Sequence, residues 1–433
     1  MTDLKDAAPA AESAGERHAS WLELFFDLVA VAGVAQLAHL LSGDPGKRDI
    51  GLYLVLYLAF WIAWVCFTMY GNVAGEKART RTLLAGMFGL AVMAAAVHGV
   101  QLGEREQVFA VAYVVLRVVA SVSWRRSGQM LADWPVVSMS AGILPWIASI
   151  WVDGQARYWL WLAGVLLDLW ITFTTTGARL GEHLQRQLER DAARRAEYDR
   201  RLERLSAEQR ERHEERVRRR RERSASAPGL SDGLPQLSVA YAEPAHLGER
   251  LGLFVIIVLG EGVTQLVAAA ADAQWDAALY GLGIGGFVLL VYLWSASLRH
   301  GYGGVPHLAP GALPPRIELA LHCFTTGTLA ALAAALGAAV EHAEGLLPER
   351  MRWLMVTSLA AYLLIGVLAG SVSTPGRWAR YALSAAPGLV ICLLAGLLGA
   401  TWLPFALVWL LVLAVFLSQL HRRGDHGGEP EPA

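Results

Sequence analysis

Cysteine is scarce in this sequence. Its three copies, Cys66, Cys323 and Cys392, lie inside apolar runs and share no short spacing, which excludes a disulfide framework and a thiolate metal site. Phosphate-cradling glycine loops, the dinucleotide glycine fingerprint, H-E-x-x-H and the G-x-S-x-G nucleophile turn are also missing. Nothing therefore points to an enzyme, a cofactor, a metal or nucleic acid. The first nineteen residues are polar, with no apolar stretch ahead of a cleavage site. That predicts no secretory signal peptide, so the first span must direct insertion.

Apolar residues are abundant. They make up 55% of the 433 positions, with a mean hydropathy of +0.39, whereas soluble chains sit near 45–50% even with Gly counted. Net charge is only −1, but charge is unevenly placed. Sixteen Arg and eleven Asp or Glu crowd into residues 179–223, while long uncharged runs fill the rest. The contrast predicts an integral membrane protein with one water-exposed insert.

Apolar runs predict spans over 22–42, 51–70, 82–102, 107–124, 134–152 and 158–177, then 247–270, 276–298, 317–341, 351–371, 380–398 and 401–420. The expected fold is an all-α polytopic membrane protein of about twelve transmembrane helices in two six-helix halves. A tail (1–19) precedes the first half (20–178). The insert and its linker (179–245) separate it from the second half (246–421), and a tail (422–433) closes the chain. The insert mixes Glu and Arg at helical spacing and reads as a long solvated cytoplasmic helix, with a lipid or partner surface as the alternative. Ser224–Pro235 reads as a flexible linker.

The two halves share a sequence signal. Ser20–Leu37 (SWLELFFDLVAVAGVAQL) aligns without a gap on Glu249–Leu266 (ERLGLFVIIVLGEGVTQL), and eight of eighteen positions agree, including Gly33/Gly262, Val34/Val263 and Gln36/Gln265. A repeat with a period of about 229 residues follows. Cations set the orientation. With both termini cytoplasmic, the tails and inner loops carry thirteen Lys or Arg outside the insert, against six outside: Lys47, Arg48, Arg105, Arg157, Arg350 and Arg352. Trp21, Trp124, Trp134, Trp151, Trp159, Trp275, Trp353 and Trp402 lie near span ends, where interfacial anchors are expected.

Charged residues inside spans are costly and point to function. Ser20-Trp21-Leu22-Glu23 fits a capping box, which gives Glu23 a structural role. Asp27, one turn deeper, has none and is read as functional, with an inert interhelical bond as the alternative. It continues into a small-residue face, Ala30, Val31, Val34 and Ala38, suited to helix packing. Glu261 stands mid-span between Gly260 and Gly262, with Gln265 one turn on; flanking glycines allow close approach or local unwinding. Arg117 sits deep in the fourth span and needs a counter-ion from Asp27, Asp168 or Glu261, most simply as a structural pair. Glu318 and His322, four apart, form an expected hydrogen-bonded pair near the membrane surface. His39, His98 and His342 lie toward span ends. Thr325-Thr326 and Thr174-Thr175-Thr176 are expected to bond their own backbones.

Trp21-Leu22-Glu23-Leu24-Phe25-Phe26-Asp27-Leu28-Val29, with Gln36-Leu37-Ala38-His39 after it, resembles the opening of the bacterial low-temperature-requirement A (LtrA) family. His246-Leu247-Gly248-Glu249-Arg250-Leu251-Gly252-Leu253-Phe254, running on to Gly260-Glu261, does so too. The resemblance implies a bacterial inner-membrane protein linked to growth in the cold. It makes Glu23, Phe25, Phe26, Asp27, His246, Glu249, Arg250, Gly260 and Glu261 motif residues, but supplies no reaction. A fainter similarity, to two-repeat endolysosomal potassium channels, fails in the second half, where Ile256 stands opposite Asp27.

These readings together predict a secondary transporter or ion-coupled permease of unknown substrate. Asp27, Glu261, Gln36, Gln265, Arg117 and Asp168 are the candidates to line its path. An ion channel, or a sensor or scaffold acting through the cytoplasmic helix, is the alternative. The expected partners are the lipid bilayer and a small solute or ion, with homo-oligomer formation left open.

Overall fold

A computed structural model describes residues 18–75, 78–127, 129–131, 134, 141–174, 186, 190, 238–271 and 273–423. Among these, twelve α-helices follow in order. The first six are α1 (Trp21–His39), α2 (Lys47–Ala74), α3 (Thr80–Leu102), α4 (Glu106–Ser127), α5 (Ile143–Ala148) and α6 (Gln155–Thr174). The second six are α7 (Pro244–Ala271), α8 (Ala277–Trp294), α9 (Pro315–Glu341), α10 (Glu349–Ser373), α11 (Trp378–Leu398) and α12 (Pro404–Arg423). Among the described residues, nine helices are long and apolar enough to cross a membrane; α5, α6 and α12 are the others. Nearly all of the 179–223 insert and linker, and both tails beyond residues 18 and 423, lie outside the described residues.

Two helices form the centre. Every residue from Ala59 to Asn72 of α2 is buried, as is every residue from Leu329 to Val340 of α9. Buried on every side, these stretches are covered by other helices rather than by lipid. The small side chains of Leu329-Ala330-Ala331-Leu332-Ala333-Ala334-Ala335 let those neighbours approach α9 closely.

A shared chain of contacts runs through both sets of six, although α2 also packs on α4 and α8 makes no comparable contact with α10. In the first, α1 packs on α2 and α3, α3 on α4, α4 on α5, α5 on α6, and α6 returns to α2. In the second, α7 packs on α8 and α9, α9 on α10, α10 on α11, α11 on α12, and α12 returns to α8. The paired glycines of the sequence repeat do matching work. A Cβ on Gly33 would come within 2.5 Å of Phe60 Cε2 at the α1–α2 crossing, and one on Gly262 within 2.9 Å of Leu290 Cδ2 at the α7–α8 crossing. The two sets meet where α1 and α2 pack on α7 and α9.

Several sequence expectations need correction. The fifth span, expected over 134–152, contains only the six-residue α5 and a 3-10 turn, Ser149–Trp151, among its described residues. Pro145 falls in the first turn of α5, where a missing N–H costs nothing. Two short sheets interrupt the all-helical plan. Gln129–Leu131 (β1) pairs in parallel with Ser238–Ala240 (β2), and Gly301–Tyr302 (β3) forms a hairpin with Val305–Pro306 (β4). Trp124 and Trp134 are 1% exposed and belong to the core, whereas Trp21, Trp151, Trp159 and Trp275 are exposed as anchors would be. Finally, α7 is helical without a break through Gly260 and Gly262, and a Cβ on Gly260 would meet open space. No unwinding surrounds Glu261.

Candidate functional site

The site begins at the first turn of α1. Ser20 caps it: the Glu23 amide donates to Ser20 Oγ at 3.3 Å, and Glu23 Oε2 accepts from the Ser20 amide and hydroxyl, both at 2.9 Å. The capping box fixes one oxygen of Glu23 and turns the other toward α7. One turn on, Asp27 points the same way and is fully buried. Packing brings α7 alongside in the same direction, since Glu23 meets His246, Asp27 meets Arg250, and His39 meets Gln265. Two acids spaced i,i+4 thus face a histidine and an arginine spaced i,i+4.

Arg250 grips Asp27 with two bonds, Nη2 to Oδ1 at 2.6 Å and Nε to Oδ2 at 3.3 Å. This fork-to-carboxylate geometry is the strong form of ion pair. Trp64 of α2 adds its indole N–H to Oδ1 at 2.8 Å. The remaining nitrogen, Arg250 Nη1, faces Glu23 Oε1 at 3.6 Å, and His246 Nε2 faces Glu23 Oε2 at 3.5 Å. Glu23, Asp27, His246 and Arg250 are each at most 3% exposed.

The tautomer of His246 follows from its neighbours. Asn72 Oδ1 accepts from the Glu243 amide at 2.8 Å, while its Nδ2 donates to the Glu243 carbonyl at 3.1 Å, which fixes the side-chain amide. Nδ2 also donates to His246 Nδ1 at 3.1 Å. Nδ1 is therefore the acceptor, and the proton of the neutral ring sits on Nε2, aimed at Glu23. With His246 neutral, the two buried carboxylates Glu23 and Asp27 share the Arg250 guanidinium within this cluster, and intramembrane carboxylates paired in this way are the groups that exchange protons and small cations.

From Asp27 a polar seam runs along one face of α2. Trp61 Nε1 donates to His322 Nδ1 at 3.4 Å, Tyr57 Oη to the Cys323 carbonyl at 2.9 Å, and Tyr53 Oη to the Gly327 carbonyl at 2.7 Å. His322 Nε2 lies 3.1 Å from the Leu251 carbonyl, so both ring nitrogens are engaged by groups other than Glu318. The expected Glu318–His322 pair is corrected on that ground. Thr325 and Thr326 bond back to the carbonyls of Leu321 and His322, as expected of helical threonines.

The other sequence candidates lie elsewhere. Arg117 pairs with Asp168, the partner among three that sequence left open, and Tyr113 Oη bridges them, 2.8 Å from Arg117 Nη1 and 3.3 Å from Asp168 Oδ2. This triad ties α4 to α6 and is charge-balanced on its own. Glu261 is half-buried and accepts from Gln265 Nε2 at 2.6 Å, with His39 Nε2 3.5 Å from the same amide. Eleven residues separate Glu261 from Arg250, or about 16 Å of helix, so Glu261 and Asp27 do not meet. Gln36 and Phe25 face outward, while Phe26 packs on Phe67 with ring centroids 5.9 Å apart. Glu249 holds the chain ahead of α1, accepting from the Ala19 amide at 3.2 Å.

From sequence, Arg250 stands only as a motif residue with no partner assigned, and Trp64 and Asn72 are not singled out. The signal for Arg250 was present: an i,i+4 pair of acids on one helix and an i,i+4 histidine and arginine on the helix most similar to it. Trp64 and Asn72 carry no comparable mark.

A family model, that of the bacterial low temperature requirement A protein (LtrA), matches residues 18–417. None of the curated proteins matches the chain. The matched range takes in eleven of the twelve helices whole, α12 as far as residue 417, and both segments that build the buried cluster. This membrane protein belongs to the bacterial LtrA family.

Proposed function

We propose that this LtrA-family membrane protein is a secondary transporter of a small solute or ion, coupled to a proton or cation taken up at the Glu23–Asp27–His246–Arg250 cluster. The observation that carries the reading is the cluster itself, in which the buried carboxylates Glu23 and Asp27 share the Arg250 guanidinium between α1 and α7. Those helices open the two repeats, so a charge gained or lost there acts on the junction between halves. Intramembrane carboxylates that pair and exchange partners are the usual means of ion coupling.

The chain is taken to cross a bacterial inner membrane in two six-helix halves with both termini in the cytoplasm, α5 being too short, at six residues, to cross alone. The shared chain of contacts and the Gly33/Gly262 crossings support the division, and the cation tally supports the orientation. Glu261, half-buried beside Gln265, is the second carboxylate on the route. Arg117 and Asp168 brace the first half, and growth in the cold is the setting that the family description suggests.

Reconstitution tests the reading. Purified protein in proteoliposomes, with a trapped pH dye, is screened for solute-dependent proton movement across amino acids, monovalent cations and phosphate. Asp27→Asn is expected to remove coupling, and Glu261→Gln to abolish flux, with both variants still inserted and folded. Flux and pH response unaltered in both would overturn the proposal.

A further inference from the structure

A cavity of about 700 Å³ opens between the N-terminal turns of α2 and α6. Lys47 and Arg48 stand at its rim, and Leu52, Val55, Trp159 and Leu162 form its walls. Glu106 also lines it, but Arg157 Nη1 lies 3.4 Å from its Oε2 and Tyr158 donates to its Oε1 at 3.2 Å. The carboxylate is thereby answered from behind, and the two rim cations dominate the opening.

Six cations lie at this end of the helices, and four are engaged. Arg157 bonds Asp153 at 2.7 Å, Arg350 bonds Asp44 at 3.1 Å, Arg352 bonds the Gly396 carbonyl at 3.2 Å, and Arg105 bonds the Ala95 carbonyl at 3.3 Å. Among the described residues, Lys47 and Arg48 meet no carboxylate; Arg48 only overlies the Tyr158 ring, 5.9 Å from its centroid. Among the described residues, the two cations of the six with neither a carboxylate nor a carbonyl partner therefore border this cavity. The positive ends of α2 and α6 add to their field.

We infer that this cavity binds an anionic phospholipid, its phosphate against Lys47 and Arg48 and the upper part of an acyl chain along α2 and α6. The shape decides for a lipid over a free anion. From Lys47 to Val55 the wall runs eight residues, about 12 Å down the helix, and it turns apolar below the rim. A free phosphate uses the cations but not the wall, whereas an amphiphile uses both. The inference stands apart from the transport proposal and depends only on membrane residence.

Native mass spectrometry of the detergent-purified full chain tests it, with phosphatidylglycerol or phosphatidylcholine added. The wild-type protein is expected to retain phosphatidylglycerol in preference. Lys47→Gln with Arg48→Gln should weaken that retention roughly thirtyfold, from the usual contribution of two cations at a membrane surface. Val55→Trp fills the wall, keeps both cations and should also expel the lipid, while Arg350→Gln, at the same end, should change nothing. Equal retention of the two lipids by the wild-type protein overturns the inference without recourse to any variant. So does full retention by the double variant, or displacement of phosphatidylglycerol by inorganic phosphate alone, which would mark a soluble-anion site.

Discussion

Arg250 Nη2 donates to Asp27 Oδ1 at 2.6 Å, joining residues 223 positions apart, with neither side chain exposed. The bond links α1 to α7. Around it, Trp64 completes the Asp27 shell and Glu23 takes what remains of the guanidinium. Charge at this point and contact between α1 and α7 are thus one property.

Removing either partner should expose that dependence. Arg250→Leu strands two buried carboxylates and is expected to cost about 3–5 kcal/mol, the usual penalty for breaking a buried pair. Asp27→Asn combined with Arg250→Gln removes both charges and should recover a large part of the loss. Thermal unfolding in detergent measures both. Equal melting temperatures for the single and double variants would show that the pair does not couple the helices.

Gly71 offers a gentler perturbation. A Cβ there would lie 2.9 Å from Glu23 Oε1 and 3.5 Å from Arg250 Nη1. Gly71→Ala should therefore push the Glu23 carboxylate off Arg250 while leaving the Asp27 bond in place. The expected cost in stability is about 1–3 kcal/mol, typical of overpacking, with a clear shift in the pH response of flux. A wild-type pH response in Gly71→Ala would separate Glu23 from coupling.

Much of this arrangement was legible in the letters, for physical reasons that differ by residue. Glu23 was readable because a capping box is local, and it forms as expected. The small face from Ala30 to Ala38 was readable because helical period dictates which residues pack, and all four named residues are buried. Partner choice was not readable. Arg117 had three acids to choose from, and only the tertiary fold, which brings its side chain on α4 within reach of α6, selects Asp168. The separation of Glu261 from Asp27 was not readable either, because the letters give no register between α1 and α7, which the His246–Glu23 and Gln265–His39 contacts set. The β1–β2 pairing was also hidden, since three-residue strands carry no period.

Arg117 and Asp168 supply a contrast with the cluster. The triad with Tyr113 is buried and balanced within the first half. Asp168→Ala should cost about 3–5 kcal/mol by stranding Arg117, and Tyr113→Phe only about 1 kcal/mol by removing one hydroxyl. Tyr113→Phe should leave the pH response of flux unchanged. A shifted response in that variant would move the triad from brace to pathway.

The Trp64 indole provides the most selective measurement, because its neighbour on α2 serves as an internal control. Trp64 donates to Asp27, while Trp61, nearly one turn earlier, donates to His322. A double-mutant cycle of Trp64→Phe with Asp27→Asn should yield a coupling of about 1.5–3 kcal/mol, the range for a bond to a charged group. The same cycle with Trp61→Phe should give a value near zero, since loss of that indole N–H leaves the Asp27 carboxylate untouched. Unfolding midpoints of the six proteins, measured in one detergent, contain both cycles. Equal couplings would mean that the two tryptophans act through packing alone, and Asp27 would then depend on Arg250 for its burial.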